Sequence, residues 1–320
     1  MKSILVITEQ LDPNADNLIQ ELRHRGAPYV RWNLDHFPLD SSLTFRATAT
    51  GFDGTIETEG RVVPFQDIGS VWYRTYQASG FPAGLNSDQR QFAEQEAEMV
   101  LEALPAVTNW QWINDPRHHR QARWKPAQLF IAHQLGFSIP QTVISNDPDA
   151  VRAFGKRFDP GIIYKALSQS SNLAPGKAIF TGLVTPETLS SLNLIKHTPG
   201  IFQELIPKAY EIRLTVVAGK MFAARIFSQD KDQTKIDWRV APYEVKYDLI
   251  DVPQDIRYLV AAFMAEFKLI YSCLDFIVTP DGKYVFLESN PGGQYLWIEE
   301  LTGAPITEAI ADALLWASPS

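Results

Sequence analysis

Three observations predict an α/β protein assembled from α+β lobes. The chain opens with an apolar strand, an amphipathic helix and a second strand; an amphipathic helix recurs at residues 253–268; and an acidic hairpin follows that helix directly. Strand–helix–strand order at the start marks a sheet covered by helices, whereas strands joined by short turns mark antiparallel sheets.

The first strand is Ile4–Ile7. A helix over Ala15–Arg25 places Leu18, Ile19 and Leu22 on one face, with Gly26 as its stop, and Tyr29–Trp32 is the second strand. Residues 45–65 alternate and turn as a meander, which Ser70–Arg74 closes. The spacing of Phe92, Met99, Val100 and Leu104 predicts a helix from about Asp88 to Leu104. A break near Pro116 ends this N-terminal lobe, residues 1–115.

A central lobe, residues 116–200, begins with the basic run Arg117–Arg123 and the helix Pro126–Leu135, stopped by Gly136. His118 and His119, adjacent on a helix, point in different directions and read as surface or phosphate-proximal residues, not as a metal pair. Asp147-Pro148 combines an N-cap with a proline at the first helical position. Strand 161–165, polar loop 168–176, strand Ala178–Phe180 and a short helix after Thr185-Pro186 complete this lobe. The C-terminal lobe, residues 201–320, starts with strand Ile201–Glu204. Ile212–Val217 and Met221–Phe227 follow, joined by a turn at Gly219-Lys220. Helix 253–268 presents Ile256, Leu259, Val260, Phe263, Met264 and Phe267 at helical spacing, and a helix over Ile306–Trp316 closes the chain.

Composition sets bounds on function. A net charge of −8 argues against binding to a nucleic-acid backbone. The single cysteine, Cys273, excludes an internal disulfide framework and fits a reducing compartment. The N-terminal apolar run is too short for a signal peptide, and no segment is long enough to cross a bilayer, so a cytoplasmic protein without a membrane partner is expected. P-loop, dinucleotide-fingerprint and nucleophile-elbow motifs are absent.

The acidic hairpin carries the chemistry. If Asp281-Gly282 is a two-residue turn, Asp275 lies opposite Glu288, and Asn290 follows on the same face. Like charges opposed on a half-buried strand pair destabilise it, so two carboxylates and an amide oxygen placed there suit a cation. Oxygen-only donors favour Mg2+ or Mn2+ over zinc. Lys125 and Lys165 stand where they could meet an anion, although a lysine ending a strand more often extends to water. The linker Gln203-Glu204-Leu205-Ile206 could offer backbone groups to an adenine edge, Glu211 could reach ribose hydroxyls, and Arg213 could meet a phosphate or carboxylate.

In this order, Lys125, Lys165, Gln203-Glu204-x-Ile206, Glu211-x-Arg213, Asp275 and Glu288-x-Asn290 resemble the ATP-grasp superfamily. Within it the chain resembles the microviridin-type, or graspetide, peptide macrocyclases along nearly its full length. The matching stretches are Asp35–Pro38, Val71–Arg74, Phe202–Lys208, Glu211–Arg213, Ser228-Gln229, Asp237–Arg239 and Phe286–Pro291. The resemblance implies an ATP-grasp fold with an N-terminal α/β pre-ATP-grasp lobe, a central lobe and a C-terminal lobe carrying the metal site. It implies that Lys125 and Lys165 hold ATP phosphates, that Gln203–Ile206 hold adenine and that Glu211 holds the ribose. Asp275, Glu288 and Asn290 would ligate Mg2+, with Mn2+ as a substitute, while Arg213 and Arg239 orient the acceptor carboxylate. The implied partner is a ribosomal precursor peptide, leader plus core, whose Asp or Glu side chains close rings with Ser, Thr or Lys; a homodimer is also implied. Loop 168–176 would cover the phosphates as a lid. Two other readings share these residues: a ligase joining an amino acid to a protein terminus or small acid, and a nucleotide- and peptide-binding module without catalysis.

Overall fold

The computed structural model describes residues 1–74, 78–159, 161–168 and 180–316. β1 (Ser3–Thr8) leads into α1 (Pro13–His24), whose first turn is capped by the Asp12 carboxylate, and then into β2 (Tyr29–Asn33). β3 (Ser42–Thr48), β4 (Gly51–Thr58) and β5 (Arg61–Pro64) form a separate antiparallel meander. β6 (Ile68–Tyr73), expected to close that meander, instead pairs in parallel with β1. Buried on both faces, its Val71, Trp72 and Tyr73 suit the interior of a helix-covered parallel sheet. α2 (Ser87–Val107) then leads to β7 (Gln111–Ile113), which completes the order β2-β1-β6-β7. On α2 the buried side chains are Ala97, Leu101 and Leu104, whereas Phe92 and Met99, expected in its core face, are 63% and 66% exposed. Those two residues share the opposite stripe of the helix.

α3 (Pro116–Ala122) and α4 (Lys125–Leu135) follow, then β8 (Thr142–Ser145), α5 (Pro148–Gly155), β9 (Ile162–Lys165), β10 (Gly182–Leu183), α6 (Pro186–Ser190) and β11 (Gly200–Glu204). These strands make an antiparallel sheet in the order β10-β9-β11-β8. Ile201–Glu204, read from sequence as the start of the third unit, lies in β11 and pairs with β8 and β9, so the chain leaves this sheet after Glu204. Of the expected strand Ala178–Phe180, residues 178–179 lie outside the described residues and Phe180 is not in a strand; residues 169–176 of the expected lid also lie outside them.

β12 (Tyr210–Val217), β13 (Lys220–Ile226), β14 (Tyr247–Ile250), α7 (Gln254–Glu266), β15 (Tyr271–Val278), β16 (Tyr284–Asn290), α8 (Leu296–Thr302) and α9 (Ile306–Leu315) complete the chain. Their sheet has the order β14-β13-β12-β15-β16. The β12–β13 turn sits on Ala218-Gly219, with φ of 47° and 83°, one residue before the expected position. A two-residue hairpin turn of this twist needs positive φ at both central residues.

Two apolar cores flank the β12–β16 sheet. On one face α7 contributes Ile256, Val260, Phe263 and Met264 against Leu214, Leu274, Phe276 and Phe286. On the other, α1 and α9 join the N-terminal sheet to Val217, Ala224 and Tyr271, so the first and last parts of the chain share one core. The cleft lies between the β8–β11 sheet and the β12–β16 sheet.

Candidate active site

The acidic pair forms by a different route from the one expected. Asp275 does stand opposite Glu288, but Val278 pairs with Tyr284, leaving a five-residue connection, 279–283. A bulge at Leu287 then supplies the extra residue that restores the Asp275–Glu288 register. Asn290, two residues on, pairs with Cys273, and its Oδ1 accepts the Gly292 amide at 3.2 Å.

Cations surround this pair. Arg213 on β12 stands beside Asp275 and donates to both its oxygens through Nη1, at 3.0 and 2.8 Å. Lys125, at the start of α4, approaches Glu288 Oε2 at 2.9 Å and donates to the Ala166 carbonyl at 3.1 Å. Burial alone would raise the Glu288 carboxyl, yet Lys125 and Lys165 outweigh it and hold it down at about 2. Burial and the neighbouring Glu288 charge push Asp275 up, against the pull of Arg213. Lys165, ending β9, is pushed down by burial and by the like charges of Lys125 and Arg239. Arg239 is gripped by Asp237 through two bonds of 2.8 and 2.6 Å, and Asp237 also accepts the Thr181 amide at 3.0 Å.

Lys125, Lys165, Arg213, Arg239, Asp275, Glu288 and Asn290 all line one cavity of about 820 Å³. Gln203, Glu204, Leu205, Ile206 and Glu211 line a smaller recess that shares Lys165, Arg239, Asp275 and Glu288 with it. Every site residue expected from sequence therefore borders this continuous cleft. In the recess, Gln203 donates to Thr142 Oγ1 at 3.0 Å while its buried Oε1 has no partner among the described residues. Glu211 is pushed up by burial and held by Lys208 at 2.6 Å.

The donor set fits a hard divalent cation. Two carboxylates and an amide oxygen converge on one wall, all oxygen and without sulfur or imidazole. Among the described residues, no group of three or more His, Cys, Asp or Glu side chains makes an alternative metal centre.

Sequence reasoning missed several parts of the cleft. Lys208 falls in the matching stretch Phe202–Lys208, where the resemblance gives it no role; its further signal is its spacing of three from Glu211. Trp297, on a helix too short for a periodic pattern, stacks on Trp238 with ring centroids 5.0 Å apart, and both line the cavity. Gln128 faces inward beside Leu129 and Ala132; it receives the Ser289 amide and donates to the Ser289 carbonyl, at 2.9 and 2.7 Å. His119, read as surface or phosphate-proximal, does not line the cleft. It packs edge-on to Tyr73, with its Nδ1 buried and without a hydrogen-bond partner among the described residues. Burial, then Arg123 and Arg74, push its imidazole down to about 3.

A family model described as the MvdD pre-ATP grasp domain matches residues 3–120. Macrocyclase MdnC from Microcystis aeruginosa MRC, crystallised with precursor peptide MdnA, is 31% identical, with a TM-score of 0.89 over 99% of this chain and 100% of that one. A RiPP-associated ATP-grasp ligase from Chryseobacterium gregarium, in complex with ADP and a leader and core peptide, is 28% identical, with a TM-score of 0.89 over 100% and 98% of the two chains. Macrocyclase MdnB from the same Microcystis strain is 27% identical, with a TM-score of 0.83 over 99% and 100%. No curated protein matches the chain. With the cleft's cations, carboxylates and linker in the expected order, and with end-to-end similarity to MdnC, the chain belongs to the family of ATP-grasp macrocyclases of ribosomal precursor peptides.

Proposed function

We propose that this protein is an ATP-dependent ligase that closes macrolactone or macrolactam rings in a ribosomal precursor peptide. The observation that carries the reading is the single cleft in which Lys125, Lys165, Arg213 and Arg239 surround Asp275 and Glu288. Such a site suits phosphoryl transfer to a carboxylate, where the protein chiefly positions groups and balances charge.

The nucleotide base belongs in the recess at Gln203–Ile206, where the unpartnered Gln203 Oε1 can accept an amino group. Glu211 reaches the ribose, and Lys125 and Lys165 meet the phosphates. Asp275, Glu288 and Asn290 would hold Mg2+, which when bound neutralises phosphate charge during transfer. Mn2+ has the same donor preference and would serve in its place.

Arg213 and Arg239 orient an Asp or Glu side chain of the core peptide. One carboxylate oxygen attacks the γ-phosphorus, the bond to ADP breaks, and an acyl phosphate forms. A Ser or Thr hydroxyl, or a Lys amine, of the same peptide then attacks the acyl carbon. The nucleophile loses a proton, inorganic phosphate departs, and each ring removes one water from the peptide overall. We further propose three lobes, 1–115, 116–204 and 205–320, the second boundary moved from 200 because β11 completes the central sheet, together with a homodimer and a cytoplasmic location. Among the described residues, no helix is long and apolar enough to cross a membrane.

The test is the intact mass of a precursor peptide, sought as a small gene neighbouring this one, after incubation with the protein, ATP and Mg2+. Successive losses of water are expected. An unchanged peptide mass with full ATP hydrolysis would overturn ring closure and favour transfer to another acceptor.

A further inference from the structure

The stretch Val71–Arg74 has no part in the reaction above, yet its arginine ends inside the protein, beside the acceptor end of the cleft. The Arg74 side chain is 5% exposed. Its Nε donates to Asp12 Oδ2 at 3.1 Å, and its Nη1 donates to the carbonyls of Gly292 and Gly293 at 3.0 and 3.3 Å. The Tyr271 hydroxyl donates to the same Gly293 carbonyl at 2.6 Å.

Gly293 in turn bears on the site. A Cβ there would lie 2.7 Å from Arg213 Nη2 and 2.8 Å from both Cβ and Sγ of Cys273, so the bare glycine backbone is in contact with the guanidinium. Arg213 needs such support. It is tied to Asp275 through Nη1 alone, while its Nε is buried without a hydrogen-bond partner among the described residues. A buried arginine is a costly way to gain stability alone. Asp12 does not require it for capping either, because that carboxylate already accepts from the Asn14 and Ala15 amides and from Thr8.

We propose that Arg74 is a positioning residue for the ring-closing site: from the N-terminal sheet it clamps the Gly292-Gly293 backbone against Arg213 and so fixes the guanidinium that receives the acceptor carboxylate. The inference rests on the role given to Arg213 above. It gives the N-terminal lobe a direct part in the chemistry of a cleft that lies between the other two sheets.

Two readouts test it. Hydrogen–deuterium exchange of the substrate-free protein reads the clamp itself: Arg74→Ala should raise uptake across 289–296, and unchanged uptake would overturn the proposal whether or not the peptide reading holds. The second is a cycle on kcat/KM for the neighbouring precursor peptide. Arg74→Ala should cost about 10²-fold, as a small misplacement of a reacting group does, with affinity for ADP measured without metal unchanged. In an Arg213→Lys background the Arg74→Ala step should lose most of its effect, because both changes act on one group. Full multiplicative losses would show that Arg74 does not act through Arg213. If Arg74→Ala does not fold, two other variants carry the test. Asp12→Asn keeps the α1 cap but removes the charge facing Arg74, and Gly293→Ala presses on Arg213 directly; wild-type kcat/KM in both would overturn the clamp. Failure of the wild-type protein to dehydrate the peptide counts against the proposed function alone, leaving the exchange result to decide the clamp.

Discussion

Asp275 and Glu288 are direct cross-strand partners, yet each carboxylate is tied to a different cation, Arg213 at 2.8 Å and Lys125 at 2.9 Å. The two cations come from different parts of the fold, β12 and the start of α4. The pair therefore links the floor of the cleft to its side wall, and four cations hold two like charges at adjacent positions. If Asp275 and Glu288 hold Mg2+ as proposed, the metal would supply part of that balance, and Lys125 would be available to a phosphate.

Asp275→Asn and Glu288→Gln should each reduce ring closure by at least about 10²-fold, the scale of losing one charge-stabilising group at a transfer site. Intact-mass analysis of the peptide over time checks this. Glu288→Gln should also lower the unfolding temperature, because Lys125 and Lys165 lose their acid partner. Wild-type turnover in either variant would sink the metal assignment.

Asp237 gives a pH-dependent prediction. Burial raises its carboxyl, but the bonds and charge of Arg239 prevail and hold it at about 2, below the ordinary 3.8. Between those values the unfolded chain takes up a proton that the folded protein refuses, so stability is present above the window and falls as pH drops through it. The contribution at neutral pH is on the order of 2 kcal/mol. Urea unfolding of wild type and Asp237→Asn should therefore differ near neutrality and converge toward about pH 2; a constant gap would refute it.

The sequence reveals the Asp275–Glu288 pairing for a reason only partly present in it. A two-residue Asp281-Gly282 turn would give that register, and the protein reaches it with a longer connection and a bulge at Leu287. The two departures cancel, because what the packing fixes is the shared face of the carboxylates. Long periodic elements such as α7 are legible because their apolar spacing repeats. β7 and α8 are not, being too short to repeat anything. The membership of β6 and β11 in their sheets depends on distant strands, which no local pattern encodes. Among the proposed site residues, those bearing charge in motifs are legible, whereas Gln128 and the contacts of Arg74, itself in a matching stretch, depend on backbone remote in sequence. His119 shows the same limit: its burial comes from Tyr73 and from Gly292, where a Cβ would sit 2.8 Å from the imidazole.

That burial makes His119 an acid-sensitive element. Its imidazole is held neutral down to about 3, against an ordinary 6.5. Below the ordinary value the unfolded chain binds a proton that the folded protein does not, so stability should fall by up to about 1.4 kcal/mol per pH unit as pH drops through this range. His119→Phe preserves an aromatic ring against Tyr73 and should flatten the wild-type slope between about pH 6.5 and 5. An identical slope in the two proteins, measured by urea midpoints, would contradict the buried neutral state.

Lys165 separates function from stability. Burial, aided by repulsion from Lys125 and Arg239, outweighs the attraction of Glu288 and Glu211, so its ammonium is pushed down in the folded protein. A group whose charged form is disfavoured by folding destabilises the fold at neutral pH, and removing the charge while keeping the stem should relieve that cost. Lys165→Met should thus gain about 0.5–2 kcal/mol in denaturant unfolding, the usual yield when a strained functional group is replaced. The same variant should bind ATP about ten- to a hundredfold more weakly, since a charged hydrogen bond of about 1.5–3 kcal/mol is lost. The opposite pattern, a destabilised protein with unchanged ATP affinity, would mean that Lys165 serves the packing of β9 and not a phosphate.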